Sequence, residues 1–360
     1  MLRPQQLTIL TTDQCTAACG HCSMNSSPER RGRLSREDMC KAMTDAHAAY
    51  GLLTVVFAGG EPTLLGEALL DCIAHADGLG INTRIVTNAS WAINDKKARR
   101  KIEELRWAGL RELNISADDQ HEPFVPFDNI IRAWHAAKGR GFSSVVIANC
   151  YGPDSRITPD FIEDKTGERL ERRFDGAGST QPLPAPAADG TVYMISNSLT
   201  QHLGRAHNEL PSTDIIYPDS QNELEGGCPW AVNSPALTAG NHLAVCCGIE
   251  AHGNAVLDLG DIGETSFAEL IEQADQDVLL NAIALMGPMY LKRVIQAYDP
   301  SVAFRERYGS VCQVCEDIVT RTDTLRALSM CMPGLAAQVI AKREHEQTVQ
   351  DADRAETAAQ

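Results

Sequence analysis

The chain has no long apolar run. Nowhere in its 360 residues does a stretch approach the roughly 18 apolar residues that a membrane-crossing helix needs. It also lacks a secretion signal: Met1-Leu2-Arg3-Pro4-Gln5-Gln6 leads straight into a β-branched strand, without an apolar core and a small-residue cleavage site. Its twelve cysteines are therefore expected to be reduced, in the cytoplasm, rather than paired as a secreted disulfide framework. Positive charge is scarce too. With 32 Lys and Arg against 48 Asp and Glu, the net charge of −16 opposes nonspecific binding to nucleic acid or to an anionic membrane. What the chain has instead is apolar content, 43% hydrophobic, enough for one domain of about 200 residues and a smaller one.

Three of the cysteines crowd one stretch, Cys15-Thr16-Ala17-Ala18-Cys19-Gly20-His21-Cys22, directly after the strand-like run Leu7-Thr8-Ile9-Leu10-Thr11. Three thiolates on one loop can converge on a soft metal centre. They are one fewer than a closed structural zinc or a fully ligated iron–sulfur cluster takes, which leaves a position open for chemistry. A structural zinc would need a fourth ligand from elsewhere and usually shows paired C-x-x-C knuckles. The spacing, three residues then two, is that of the radical S-adenosylmethionine (SAM) enzymes, with His21 in the place that is usually aromatic there. The chain resembles that superfamily.

After a polar, Arg-rich linker from Ser26 to Arg33, Ser35 with Asp38 three residues on reads as a capping box opening a helix that runs to about Tyr50 and stops at Gly51. Thr54 to Ala58 is a buried strand ending in Gly59-Gly60-Glu61-Pro62. There the paired glycines let backbone approach a ligand closely, Glu61 adds an acceptor and Pro62 stiffens the turn. Strands are expected at Asn82 to Thr87, Glu112 to Ser116, Ser144 to Asn149 and Thr191 to Ile195, with helices at Leu64 to Leu79, Asp95 to Ala108 and Phe127 to Lys138. Gly152 to Gly190 is expected to be a loop or lid. Repeated β-α units mean a parallel sheet with its chemistry at the C-terminal strand ends, and the resemblance makes this α/β fold a partial (β/α)6 TIM-type barrel.

Those strand ends nominate Cys15 to Cys22, Gly59 to Glu61, Asn88, Ser116 with Asp118, and Cys150. The resemblance implies that Gly59, Gly60, Glu61 and Pro62 meet the amino group of SAM, that Ser116 and Asp118 meet its ribose, and that His21 and Asn88 belong to the same pocket. Asp118 and His121 could orient a polar substrate or move a proton, or belong to a solvated loop. Cys150 could return a hydrogen atom to a substrate radical, or be a buried small hydrophobe. Leu203-Gly204-Arg205-Ala206 is similar to a segment that many relatives carry on leaving the barrel, whose expected extent is residues 1–210.

Beyond it, Cys228, Cys246 and the pair Cys312 and Cys315 suit either a tetrahedral zinc or a fully ligated 4Fe–4S cluster. The segment resembles the auxiliary-cluster domain of the SPASM/twitch subfamily, here a smaller α+β domain over residues 211–335. With only Cys247 and Cys331 to spare, the one-cluster twitch form is the better match, and Cys246 rather than Cys247 is taken as the ligand. Helices are expected from Phe267 to Met286, Tyr290 to Tyr298 and Asp323 to Ser329, and residues 336–360 read as a polar tail, a frayed helix or disordered.

The resemblance implies an enzyme with a SAM-binding 4Fe–4S cluster on Cys15, Cys19 and Cys22, one auxiliary 4Fe–4S cluster, and SAM as cosubstrate. Its expected partners are a reductant such as flavodoxin or ferredoxin and a separate leader-peptide-binding protein, since the chain ahead of Cys15 leaves no room for such a domain. The expected reaction is modification of a ribosomally made peptide by cross-linking, oxidation or epimerisation. A dehydrogenase or epimerase of a small sugar or cyclitol, and a non-catalytic metal scaffold, are the alternatives.

Overall fold

The computed structural model describes residues 3–174, 183–248 and 251–358. Its frame is a sheet begun by β1 (Gln6–Leu10), β2 (Thr54–Ala58), β3 (Asn82–Thr87), β4 (Glu112–Ser116) and β5 (Ser144–Tyr151), joined by α1 (Arg36–Tyr50), α2 (Glu67–Gly78), α3 (Asp95–Trp107) and α4 (Phe127–Ala137). Caps set these bounds. Ser35 accepts from the Asp38 amide at the start of α1 and Gly51 ends it in the left-handed region, while Asn94 accepts from the Lys97 amide at the start of α3. β1 to β5 pair in parallel in chain order, and helices cover one face through buried Phe57, Ile73, Ile85, Ile102, Leu113 and Trp134.

The segment expected to be a loop or lid holds structure. Thr158 and Pro159 open α5 (Pro159–Thr166), Gly167 closes it, and β6 (Glu171–Phe174) follows. Its signal was hidden because β6 reads Glu-Arg-Arg-Phe and is held by ions: the buried Glu163 carboxylate takes Arg169, Arg172 and the Leu170 amide. Residues 175–182, within the Gly- and Pro-rich part of that stretch, lie outside the described residues. β7 (Val192–Leu199), longer than expected, pairs in parallel with β5 over eight positions and carries β6 on its other edge. Six parallel strands, β1 to β5 and β7, thus form the partial barrel, with β6 added at its edge.

α6 (Ala206–Glu209) leads to β8 (Ala236–Leu237), which joins the other edge of the sheet beside Thr8 and Ile9 of β1 and is followed by antiparallel β9 (His242–Ala244) and β10 (Asp258–Asp261). The helix expected over 267–286 is two helices, α7 (Phe267–Gln276) and α8 (Val278–Leu285), because the Asp277 side chain caps the second by accepting from Leu280. α9 (Pro288–Tyr298) and α10 (Val311–Val319) complete the cover. The last helix, α11 (Thr322–Ala358), runs through Pro333 and past the expected end at Ser329 into residues 336–360, expected as a polar tail that is a frayed helix or disordered; Ala327, Leu328, Leu335 and Val339 are buried and it packs on α8 and α9. Among the described residues its segment Thr322–His345, mean hydropathy 1.2, is long and apolar enough to cross a membrane by length and composition, where the sequence led to the expectation of no such run.

Candidate active site

The cluster loop is zipped into place along its approach. Thr11 donates to Ala58 of β2, Asp13 to Gly32 and Cys15 to Ser27, so the Arg-rich linker lies one chain-width from the strand end. The Gly59-Gly60 turn packs on the same backbone. Gly59 sits at φ 115°, the Gly60 amide donates to Thr12, and a Cβ on Gly60 would collide with the Gln14 carbonyl. The close approach that these glycines permit is first of all to the cysteine loop, although both also line the cavity described below.

Glu61 faces inward. Fully buried, its carboxylate accepts from Thr63, from Thr87 Oγ1 at 2.8 Å and from the Asn88 amide at 2.9 Å, and burial pushes its pKa up against those bonds. It therefore positions Asn88, whose Nδ2 donates to Cys15 Sγ at 3.5 Å and to Thr16 Oγ1 at 3.0 Å. On the opposite side, Arg205 donates to the carbonyls of Cys19 at 2.8 Å and Ser26 at 2.6 Å, and its amide to Cys22. Gly204, at φ 56°, lies so close that a Cβ would come within 2.6 Å of the Ser23 carbonyl. Sequence reading marked this Gly-Arg pair only as a family likeness; the structure makes it a clamp.

Asp118, 2% exposed, lies between two imidazoles, 3.1 Å from His21 Nε2 and 2.8 Å from His121 Nδ1. Burial alone would raise its pKa, but the adjacent histidines hold it well below the usual carboxylate range. His121 is pulled well above the usual imidazole range by Asp118 and hydrogen-bonds Cys19, against the opposing effect of burial. The two rings meet edge to face at 5.0 Å, and His21 Nδ1 is buried without a partner. The Asp118 loop is thus an ordered part of the cysteine site rather than a solvated one. The ligand atoms of His21, Asp118 and His121 also all lie within 4.8 Å of one another.

A cavity of about 470 Å³ opens at the strand ends. Cys15, Cys19, His21, Cys22, Gly59, Gly60, Asn88, Ser116, His121 and Cys150 line it from the barrel; Cys228, Cys246, Cys312 and Cys315 line it from the later chain, beside Trp230, Leu257 and Ile283. So both cysteine groups, named separately from sequence, face one space. Glu61, Pro62 and Asp118 are not among the residues that line it; the buried carboxylates of Glu61 and Asp118 are hydrogen-bonded within the protein, to Thr63, Thr87 and Asn88 and to His21 and His121. Cys150, near Thr200 Oγ1 at 3.7 Å, has its thiol pushed up to about 12 by burial and stays protonated at neutral pH. Cys247, exposed, is a further thiol on the cavity wall. Cys331 lies elsewhere, in a groove beside Met330 and Pro333.

Residues 9–155 match the Radical SAM superfamily. The chain is 25% identical over 317 residues, 87% of its own length and 91% of the other's, to YydG of Bacillus subtilis, a protein named for peptide biosynthesis. To the PqqA peptide cyclase of Bradyrhizobium diazoefficiens it is 31% identical over 113 residues, 31% of this chain and 28% of that one. Its fold is similar to that of Streptococcus suis SuiB bound to S-adenosylmethionine, at a TM-score of 0.50 and 18% identity over 75% of this chain and 65% of SuiB. It thus spans less than two thirds of the cyclase and of SuiB, and most of YydG. Residues 9–155 are a radical SAM superfamily domain, and the protein is an enzyme built on it.

Proposed function

We propose that the protein modifies a ribosomally made peptide by hydrogen abstraction, with SAM and a 4Fe–4S cluster at Cys15, Cys19 and Cys22. The residues fit that group. Three reduced thiols on one clamped loop face the cavity, Asn88 donates to one of them, and burial pushes the Cys15 thiol up to about 12, so a bound metal is what would make it a thiolate. Bound there, cluster and SAM would supply a 5′-deoxyadenosyl radical able to take hydrogen from an unactivated carbon. The chain's own part is to hold SAM along Gly59, Gly60, Asn88, Ser116 and His21, to keep water out with the apolar wall, and to present one C–H bond.

Cys228, Cys246, Cys312 and Cys315 would hold an auxiliary cluster, and the division into a barrel over 1–210 and an auxiliary domain over 211–335 belongs to the same reading. The observation that carries it is the shared cavity: a substrate there touches both cysteine groups, one able to start a radical and one able to accept an electron. The peptide is favoured by the likeness to YydG and the PqqA cyclase, both named for peptides. A small metabolite is the second reading, because about 470 Å³ lies within the range of small-molecule sites.

Iron and sulfide per chain after anaerobic reconstitution test the reading, for wild type and for C15A/C19A/C22A, with 5′-deoxyadenosine recorded alongside. About eight irons falling to about four, with SAM cleavage lost, is expected. About four falling to none would remove the auxiliary cluster, and 5′-deoxyadenosine from the triple variant would sink the assignment. Mass shifts in candidate peptides, against turnover of small polyols, then separate the two substrate classes.

A further inference from the structure

Asn88 follows β3 in a turn that is costly to build. Its neighbour Ala89, fully buried, is held at φ 56°, in the left-handed region that a Cβ disfavours. Such a conformation persists only where the surroundings over-determine it, and strain of this kind gathers at functional sites. Here three side chains hold the turn. Glu61 accepts from Thr87 Oγ1 and from the Asn88 backbone amide, Trp91 Nε1 donates to Thr87 Oγ1 at 3.0 Å, and Asn129 Nδ2 donates to the Ala89 carbonyl at 3.4 Å.

What the turn presents is one side-chain amide. Asn88 Oδ1 accepts from the Ser90 amide at 3.0 Å, which assigns the other end of the side chain as Nδ2 and aims its N–H groups at Thr16 Oγ1, 3.0 Å away, and Cys15 Sγ, 3.5 Å away. This donor carries no titratable proton, and at 4% exposure Asn88 is shielded from competing water. Forming the turn asks only for the oxygen, which Asp supplies equally well. The bond to sulfur is what Asp cannot make.

We propose that Asn88 sets the reduction potential of the group held by Cys15, Cys19 and Cys22 by donating a hydrogen bond to the Cys15 sulfur. The proposal rests on the function given above, whose radical is made by reducing SAM through that group. Added charge collects partly on the ligand sulfurs, so an N–H aimed at Cys15 bonds more strongly after reduction than before, and the potential rises. The step is one electron taken from a reductant, with no bond or proton changed. Glu61 keeps its hold on the turn whatever residue stands at 88, because its bond there goes to the backbone amide.

The test is a redox titration of the reconstituted protein without SAM, with dithionite as reductant, followed by electron paramagnetic resonance for wild type, N88D and N88L. The first-site signal is the one missing from C15A/C19A/C22A. N88L is expected to lower its potential by at least about threefold in the reduction equilibrium, about 28 mV for one electron, and N88D by more, since it keeps the turn and adds an anion beside sulfur. Wild type labelled with 15N at the asparagine side chains is expected to show a 15N coupling on the reduced first-site signal, and N88D to lack it. A potential unchanged in either variant, or no coupling in wild type, would overturn the proposal. If both variants lose first-site iron, the wild-type coupling decides. A first-site signal absent from wild type would instead sink the functional reading.

Discussion

Arg205 donates to the carbonyl of Cys19 at 2.8 Å, joining positions 186 residues apart. With its second bond to Ser26, one guanidinium holds the cysteine loop from the barrel's exit segment. Charge-assisted bonds of this kind contribute roughly 1.5–3 kcal/mol each, and Lys cannot reproduce the fork. Arg205→Ala and Arg205→Lys are expected to lose iron from the first site while keeping the iron of the second. Iron per chain with amide exchange over residues 15–28 checks this; unchanged exchange would mean that the clamp is dispensable.

Gly60 gives a sharper case. An added methyl would run into the Gln14 carbonyl, backbone against backbone, so nothing flexible can yield. Gly60→Ala is expected to cost at least about 2 kcal/mol of stability and to abolish SAM cleavage. Gly51→Ala, at a left-handed helix end with open space around it, is expected to cost about 1 kcal/mol and leave cleavage intact. Urea midpoints and 5′-deoxyadenosine yield separate the two.

How much of this was legible in the sequence follows from range. Strands such as Asn82–Thr87 and Glu112–Ser116 were readable because apolar period and turn residues are local, and the three-cysteine loop because its ligands are neighbours. Arg205, and the pairing of His21 with Asp118 across 97 positions, were not, because only the closed barrel brings those ends together. The edge strand β6 stayed hidden because its Arg172 is held by Glu163 on the preceding helix and the strand shows no apolar face. Glu61 was expected beside SAM because its position matched; that its carboxylate also bonds Thr63, Thr87 and Asn88 is a property of the folded turn.

Two thiols on the cavity wall, Cys150 and Cys247, are not among the seven cysteines proposed to hold iron. A reaction that returns hydrogen to the substrate, such as epimerisation, needs a hydrogen-atom donor; an S–H is one, and burial keeps that of Cys150 protonated. Cys150→Ala and Cys247→Ala are both expected to go on producing 5′-deoxyadenosine. The variant lacking the donor is expected to yield no closed-shell product and to lose solvent deuterium from the product made in D2O. Wild-type levels of deuterated product in both variants, and in the double variant, would exclude a thiol donor.

Glu163 sets the acid limit of the α5–β6 unit. Its hydrogen bonds from Arg172 lower its pKa from the usual 4.5 to about 2, outweighing burial. A carboxylate whose folded pKa is depressed stabilises the fold above its unfolded pKa and loses that contribution as pH falls through the folded one. Wild type is therefore expected to exceed Glu163→Gln in urea midpoint near neutral pH, and the gap is expected to close between about pH 4.5 and about pH 2. Because Arg169 and Arg172 meet Glu163 on its own unit, amide exchange should report the loosening at Leu170 and β6 before the rest of the barrel opens. A gap that stays constant down to about pH 2 would mean that the ion pairs contribute nothing to folding and that packing alone holds β6 to β7.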